Sequence, residues 1–264
     1  VTNLELTAAY AAIANSGTYH EPTLYTKIVD QSGNVIIDKT KGKSEQVMKE
    51  STAWLLTSAM KDVITSGTGR RCRFTSINMP AAGKSGTSSK YRDTWFSGYT
   101  PYYTGTIWSG YDNNNLSQTD KDYHKNVWRE IMERIHIEKS LETKDFTRPD
   151  SIITASICTK SGKLAVDGLC NEALGGSTVK TEYFAKGTIP TDKCDVHKKV
   201  KVCKETNLLA NDFCPETEVE EVVFIEKGEE TSSTTDTKYL IPTKECTVHN
   251  EYNTNTEPED EVKP

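Results

Sequence analysis

The stretch that most constrains this chain runs from Ala82 to Thr100. It reads Ala82-Gly83-Lys84-Ser85-Gly86-Thr87-Ser88-Ser89, then Asp93-Thr94-Trp95-Phe96-Ser97-Gly98-Tyr99-Thr100. The first part is small and polar around one lysine. The second carries Trp95, Phe96 and Tyr99 and reads as a buried strand. Side chains alternate along a strand, so Ser85 and Thr87 share one face and Gly86 takes the other. A glycine there leaves room for a close backbone approach. On its own, a lysine beside a small turn is an ordinary solvated loop. The aromatic strand behind it gives this one its weight.

Around that stretch the periodicity predicts an α+β pattern, helices packed on an antiparallel sheet. Thr2 and Glu5 form a capping box at the head of a helix that reaches Asn15, and Gly17 stops it. Residues 23–29 and 34–38 flank Gln31-Ser32-Gly33 as a hairpin. Ser51 to Ile64 predicts a second helix, with Ala53, Leu56, Met60 and Val63 or Ile64 inward, and Gly67-Thr68-Gly69 breaks it. Strands over 80–87, 93–99 and 104–111 are joined by short links, which implies antiparallel pairing. Lys121 to His136 predicts a helix with Val127, Trp128, Ile131 and Ile135 inward. This first region extends over residues 1–146. Trp95, Phe96, Tyr99 and Trp108 read as strand packing rather than a substrate wall. Cys72 reads as a buried thiol, and His20, His124 and His136 as structural or exposed. Arg70, Arg71 and Arg73 read as a solvated basic turn.

Phe146-Thr147-Arg148-Pro149-Asp150 reads as a linker, and an internal repeat follows it. The run from Cys158 through Leu164-Ala165 to Cys170 is matched by Cys203 through Leu208-Leu209-Ala210 to Cys214. Tyr183-Phe184 and Gly187 resemble Val223-Phe224 and Gly228. Ile189-Pro190-Thr191, Cys194 and His197 match Ile241-Pro242-Thr243, Cys246 and His249. Two β-rich modules result, over 147–197 and 198–250, each with three cysteines and one histidine. Two chemistries fit them. Disulfides Cys158–Cys170 and Cys203–Cys214 leave one cysteine over in each module. A Cys3His zinc site in each, from Cys158, Cys170, Cys194 and His197 and from Cys203, Cys214, Cys246 and His249, leaves none over. The spacing of the first cysteine pair is wider than is usual for zinc. Residues 251–264 hold five acids against one lysine and read as a disordered tail. The net charge of −6 argues against general nucleic-acid binding. No apolar run reaches the length of about 18 residues that would span a membrane.

Lys84-Ser85-Gly86-Thr87 is one form of the Lys-Thr/Ser-Gly signature of serine acyl-transfer enzymes. With Asp93-x-Trp95-Phe96-x-Gly98-Tyr99-Thr100-Pro101 behind it, it resembles the transpeptidase domain of class A high-molecular-weight penicillin-binding proteins, which polymerise and cross-link peptidoglycan. Val1-Thr2-x-Leu4-Glu5-Leu6, with Ala8, Tyr10, Ala14, Asn15 and Gly17, is similar to the segment after the active-site core of that family. The resemblance covers residues 1–197 and reaches 198–264 only through the repeat. It implies the penicilloyl-serine transferase fold and a D,D-transpeptidase reaction. A serine attacks a D-Ala-D-Ala stem peptide, D-alanine leaves, and a second stem-peptide amine takes the acyl group. β-Lactam antibiotics mimic the donor. Lys84 and Thr87 are then catalytic, and Lys84, Ser85, Gly86, Thr87 and Ser88 bind substrate. The Thr87 hydroxyl meets the substrate carboxylate and its N–H is half of an oxyanion hole. The resemblance implies the extracellular face of the bacterial cytoplasmic membrane, with membrane contact only through an N-terminal anchor absent from this sequence. That compartment tips the cysteines toward disulfides and away from a cofactor.

Ser58-Ala59-Met60-Lys61 and Ser76-Ile77-Asn78 fit two further family signatures, yet neither is read as catalytic. The family's Ser-x-x-Lys lies far upstream of the Lys-Ser-Gly strand, and Met60 on the inner helix face turns Lys61 outward. The nucleophile is therefore expected before Val1. The chain then reads as a fragment, inert alone, whose partner is the upstream half of the same protein. Two rivals stand beside this reading. One is a D,D-carboxypeptidase or β-lactamase of the same fold, and the other a non-catalytic cell-wall-binding protein.

Overall fold

Thr2 accepts a hydrogen bond from the Glu5 amide at 3.2 Å, and the Glu5 carboxylate accepts one from the Thr2 amide at 2.8 Å. This reciprocal cap begins helix α1 (Asn3–Ala14), which buries Ala8 and Ala12. Gly17 ends the turn after it with φ +86°, where a Cβ would stand 2.3 Å from the Met48 carbonyl oxygen, so glycine alone fits. These features belong to a computed structural model that describes residues 1–113, 116–226 and 237–252. The chain divides into two units, Val1–Ile152 and Ile153–Pro264. Of the expected tail, residues 253–264 lie outside the described ones.

In the first unit, β1 (Thr18–His20) follows α1. A hairpin of β2 (Lys27–Val29) and β3 (Val35–Asp38) comes next, as the sequence predicts, and β4 (Ser44–Gln46) returns to pair with β1. Helix α2 (Glu50–Thr65) buries Ala53, Thr57, Met60 and Ile64. Leu56, expected inward, is 41% exposed, and Thr57 takes the inner position. The reason is polar. The Thr57 hydroxyl meets the buried Tyr99 hydroxyl at 2.7 Å and donates to the Ala53 carbonyl at 2.8 Å.

Strands β5 (Ala82–Thr87), β6 (Asp93–Tyr99) and β7 (Thr104–Gly110) form an antiparallel sheet in that order. Phe96 and Tyr99 are three residues apart on β6 and take opposite faces. Phe96 packs with Ile64, Cys72 and Trp128. Tyr99 packs with Met60 and Ala82, against Tyr10, Ile13 and Phe146. Phe146, expected in a linker, sets its ring edge-on to Tyr99 at 5.5 Å.

Helix α3 (Tyr123–Glu138) buries His124, Trp128, Met132, Glu133 and His136, while Ile131 is 45% exposed against expectation. The inner stripe is set by Trp128, which meets Phe96 edge-on at 5.1 Å, stacks on Phe74 at 5.7 Å and donates to the Gly105 carbonyl at 3.1 Å. Gly98 gives that indole its room, because a Cβ there would approach it to 2.8 Å. His136 is structural: one ring nitrogen lies 2.9 Å from the Thr100 hydroxyl, the other 2.7 Å from the Met132 carbonyl. Cys72 is fully buried and unpaired. Arg70, Arg71 and Arg73 are exposed.

In the second unit, β8 (Ile152–Cys158) pairs with β9 (Val179–Ala185), and β10 (His197–Cys203) pairs antiparallel with β11 (Val219–Ile225). The same backbone hydrogen bonds occur in both halves. Cys158 donates to Lys163 at 2.8 Å as Cys203 does to Leu208 at 2.9 Å. Ala165 donates to Ser156 and Ala210 to Lys201, both at 3.0 Å. Cys194 donates to Leu164 at 2.8 Å as Cys246 does to Leu209 at 2.7 Å. Among the described residues no helix is long and apolar enough to cross a membrane.

Candidate functional site

Lys84, Ser85, Gly86 and Thr87 lie on β5, which pairs with β6 on one side and with no strand on the other among the described residues. Two glycines fit the strand to its neighbour. A Cβ at Gly83 would stand 2.7 Å from both the Phe96 ring and the Ser97 carbonyl. A Cβ at Gly86 would press on Trp95 at 3.3 Å. Bulk is therefore excluded on both sides of Lys84.

The hydrogen-bond alternation fixes which backbone groups face the open edge. The Ser88 amide donates to the Asp93 carbonyl at 3.0 Å, so that pair is of the bonded kind. Thr87, opposite Thr94, is then a non-bonded pair, and its N–H turns away from β6. Ser85, two residues back, does the same. Its carbonyl accepts from the Lys84 ammonium at 2.9 Å, as an outward-facing carbonyl can. Lys84 and Thr87 are exposed, and Lys84 makes no ion pair among the described residues. The edge thus presents an amide and an ammonium that no carboxylate pairs with among the described residues.

Three features here had no signal in the sequence reading. The Ser85 hydroxyl meets the Thr68 hydroxyl at 2.9 Å, which ties the segment after α2 to β5. The link between β5 and β6 passes through two consecutive left-handed residues, Lys90 at φ 60° and Tyr91 at φ 53°. That turn is clipped at its base, where Ser88 donates to the Asp93 carboxylate at 3.0 Å and accepts from the Asp93 amide at 2.8 Å. Trp108 donates to the other Asp93 oxygen at 3.1 Å, so Ser88 and the turn are held from the far side of the sheet.

The two serine signatures set aside in the sequence are occupied elsewhere. Lys61 lies 2.8 and 3.0 Å from the two Asp145 oxygens. The Ser76 amide donates to Glu133 at 2.8 Å, which holds the Ser76–Asn78 loop to α3. Among the described residues, neither serine bonds to β5.

The cysteines depart from the preferred reading. All seven are free thiols, so neither Cys158–Cys170 nor Cys203–Cys214 is bridged. Instead Cys158, Cys170, Cys194 and His197 gather in one cluster and Cys203, Cys214, Cys246 and His249 in another. Local spacing could not show this, because the bridges Leu164–Lys193 and Leu209–Glu245, between segments distant in sequence, bring the ligand segments of each set together.

Residues 1–133 match the family model of the penicillin-binding protein transpeptidase domain, and residues 148–199 match that of the penicillin-binding protein 1A C-terminal domain. A penicillin-binding protein 1A of Clostridium botulinum is 37% identical over 228 residues, spanning 85% of this chain and 27% of the relative. One from Clostridium novyi is 33% identical over 239 residues, spanning 90% of this chain and 27% of the relative. The chain therefore spans about a quarter of the length of the curated relatives it matches. The crystal structure of penicillin-binding protein 1A from Haemophilus influenzae superposes with a TM-score of 0.58 at 23% identity, covering 74% of this chain and 33% of that one, which supports the fold.

Proposed function

Because the chain belongs to the penicillin-binding protein transpeptidase family, we propose that it forms part of a D,D-transpeptidase that cross-links peptidoglycan through a serine acyl-enzyme. The observation that carries this reading is the open edge of β5, where the outward Thr87 amide lies three residues from the Lys84 ammonium. In the proposed reaction the Thr87 N–H donates to the oxyanion that forms when a serine attacks the penultimate D-alanine carbonyl. The Thr87 and Ser85 hydroxyls, on one face of β5, hold the terminal carboxylate of the donor. The Lys84 ammonium, which starts from the opposite face but folds to the Ser85 carbonyl at the open edge, reaches it there with Gly86 and Ser88 beside it. The attacking serine comes from another segment of the same polypeptide, since Lys61 is committed to Asp145 and the Ser76 loop to Glu133. β-Lactams acylate the same serine, and the reaction takes place on the extracellular face of the cytoplasmic membrane.

We also read the second unit as a tandem of two homologous modules, because the backbone bonds around Cys158, Leu164 and Cys194 recur around Cys203, Leu209 and Cys246.

The test uses the complete polypeptide with a donor peptide ending in D-Ala-D-Ala and an amine acceptor. Transfer of the acyl group to the amine is the expected outcome. Release of the hydrolysed donor alone assigns a carboxypeptidase or β-lactamase instead. Absence of any adduct with labelled penicillin removes the enzyme reading.

A further inference from the structure

In each half of the second unit, cysteine sulfurs crowd around a single imidazole nitrogen. His197 Nδ1 lies 3.3 Å from Cys194 Sγ, 3.5 Å from Cys158 Sγ and 3.7 Å from Cys170 Sγ. His249 Nδ1 lies 3.4 Å from Cys246 Sγ and 3.5 Å from Cys203 Sγ. The Cys214 sulfur completes the second set, and within each set all ligand atoms lie within 4.8 Å of one another. A neutral imidazole nitrogen has one lone pair and accepts one hydrogen bond. Three sulfurs at those distances from His197 cannot all be thiol donors to it. A tetrahedral zinc ion accounts for them. Zn–S bonds of about 2.3 Å and Zn–N bonds of about 2.05 Å give S···N edges of about 3.6 Å, within the observed spread.

The surroundings match a closed site. Seven of the eight ligands are buried, and Cys214 is half-buried. Backbone amides point at the sulfurs: Lys160 N to Cys158 at 3.4 Å, Val166 N to Cys170 at 3.3 Å and His249 N to Cys246 at 3.5 Å. Such bonds stabilise thiolates and orient them around a metal. The far nitrogen of His249 lies 3.8 Å from the Glu205 carboxylate, which favours Nδ1 as the ligand. Core size points the same way. The buried members of the first cluster are Cys158, Cys170 and Cys194 themselves, with only Ala165, Val166 and Val196 partly buried against them. So small an apolar core needs a staple, and a bound metal supplies one.

We propose that the second unit binds two structural zinc ions, one held by Cys158, Cys170, Cys194 and His197 and the other by Cys203, Cys214, Cys246 and His249. Each ion takes three thiolates and one imidazole and displaces the three thiol protons to solvent. Four protein ligands leave no open position, so the ions hold the modules together and perform no chemistry.

The test is metal analysis of the purified chain, combined with titration of the reduced, metal-free chain by Zn2+ and by Co2+. The expected results are two zinc ions per chain and a thiolate-to-cobalt charge-transfer band that saturates at two equivalents. Cys194→Ser and Cys246→Ser should each lower the stoichiometry from two to one. Tryptophan fluorescence, which comes only from the first unit, shows whether each variant still folds there. A metal-free chain that takes up neither ion after reduction overturns the proposal, whether its thiols are bridged or free. So does zinc uptake that both variants leave at two.

Discussion

The Ser85 hydroxyl lies 2.9 Å from the Thr68 hydroxyl, a bond between the edge strand and the turn after α2. It fixes the rotamer of the side chain that shares a face with Thr87. Thr68→Val removes it while keeping the shape of the side chain. The unfolding free energy should change by no more than ~1 kcal/mol, as expected for one exposed hydrogen bond. Penicillin acylation of the complete polypeptide should slow by roughly 2- to 5-fold, the kinetic equivalent of that bond. Urea titration and stopped-flow labelling measure the two.

Thr57 and Tyr99 share a hydrogen bond of 2.7 Å across 42 residues of sequence, and both are buried. Thr57→Val strands the Tyr99 hydroxyl and should destabilise the first unit by about 1–3 kcal/mol. Adding Tyr99→Phe removes the stranded group, so the double variant should recover most of the loss. A double-mutant cycle by urea unfolding reads this directly, and a double variant worse than the sum of the singles would count against it.

At Gly83 the backbone of β6 and the Phe96 ring leave no space for a side chain. Gly83→Ala should destabilise by about 1–3 kcal/mol, the usual penalty of overpacking. Gly33→Ala controls for the loss of a glycine as such: a Cβ there meets nothing, although its φ of +85° carries some strain of its own. Thermal melts should show the larger loss at Gly83.

His124 is fully buried, and neither ring nitrogen has a hydrogen-bond partner among the described residues. Burial pushes its pKa below the ordinary 6.5, and Lys125 adds to this while Asp122 and Asp120 oppose it. The unfolded chain then binds a proton that the folded chain refuses. Stability contributed by the neutral ring is complete above pH 6.5 and declines as the pH falls from there toward the folded pKa. Replacing the ring, as in His124→Phe, should flatten that dependence. All four tryptophans, Trp54, Trp95, Trp108 and Trp128, lie in the first unit, so urea titrations followed by tryptophan fluorescence at pH 7.5 and 5.5 isolate it from events at the cysteines.

Periodicity and punctuation made much of this fold legible. The Thr2–Glu5 cap, the stop at Gly17, the hairpin around Gln31-Ser32-Gly33 and the three antiparallel strands are local matters, and local chemistry decides them. Inner faces were less legible. Leu56 and Ile131 look like core residues, but Thr57 and Met132 are buried because Tyr99 and the sheet glycines reward a hydroxyl and a shape, not hydrophobicity alone. The histidines show the same limit, since the partners of His136 are Thr100, just past the end of β6, and Met132 on its own helix. The lysine strand was found by its residues, whereas its position at a sheet edge depends on pairing that no single strand encodes. In the cysteine modules both ligand sets could be written down from sequence. The proposal of metal over bridge rests on the three sulfurs around His197, an arrangement that spacing alone does not encode.

The central claim, that Lys84 and Thr87 serve acyl transfer from the open edge of β5, is tested most directly by the second-order rate of acylation of the complete polypeptide by fluorescent penicillin. With Lys84→Ala the rate should fall by roughly 10²-fold, the scale of losing one preorganised electrostatic contact, here that to the donor carboxylate. The tryptophan unfolding midpoint should stay unchanged, because the Lys84 side chain is exposed. A folded Lys84→Ala variant that acylates at the wild-type rate would contradict the account.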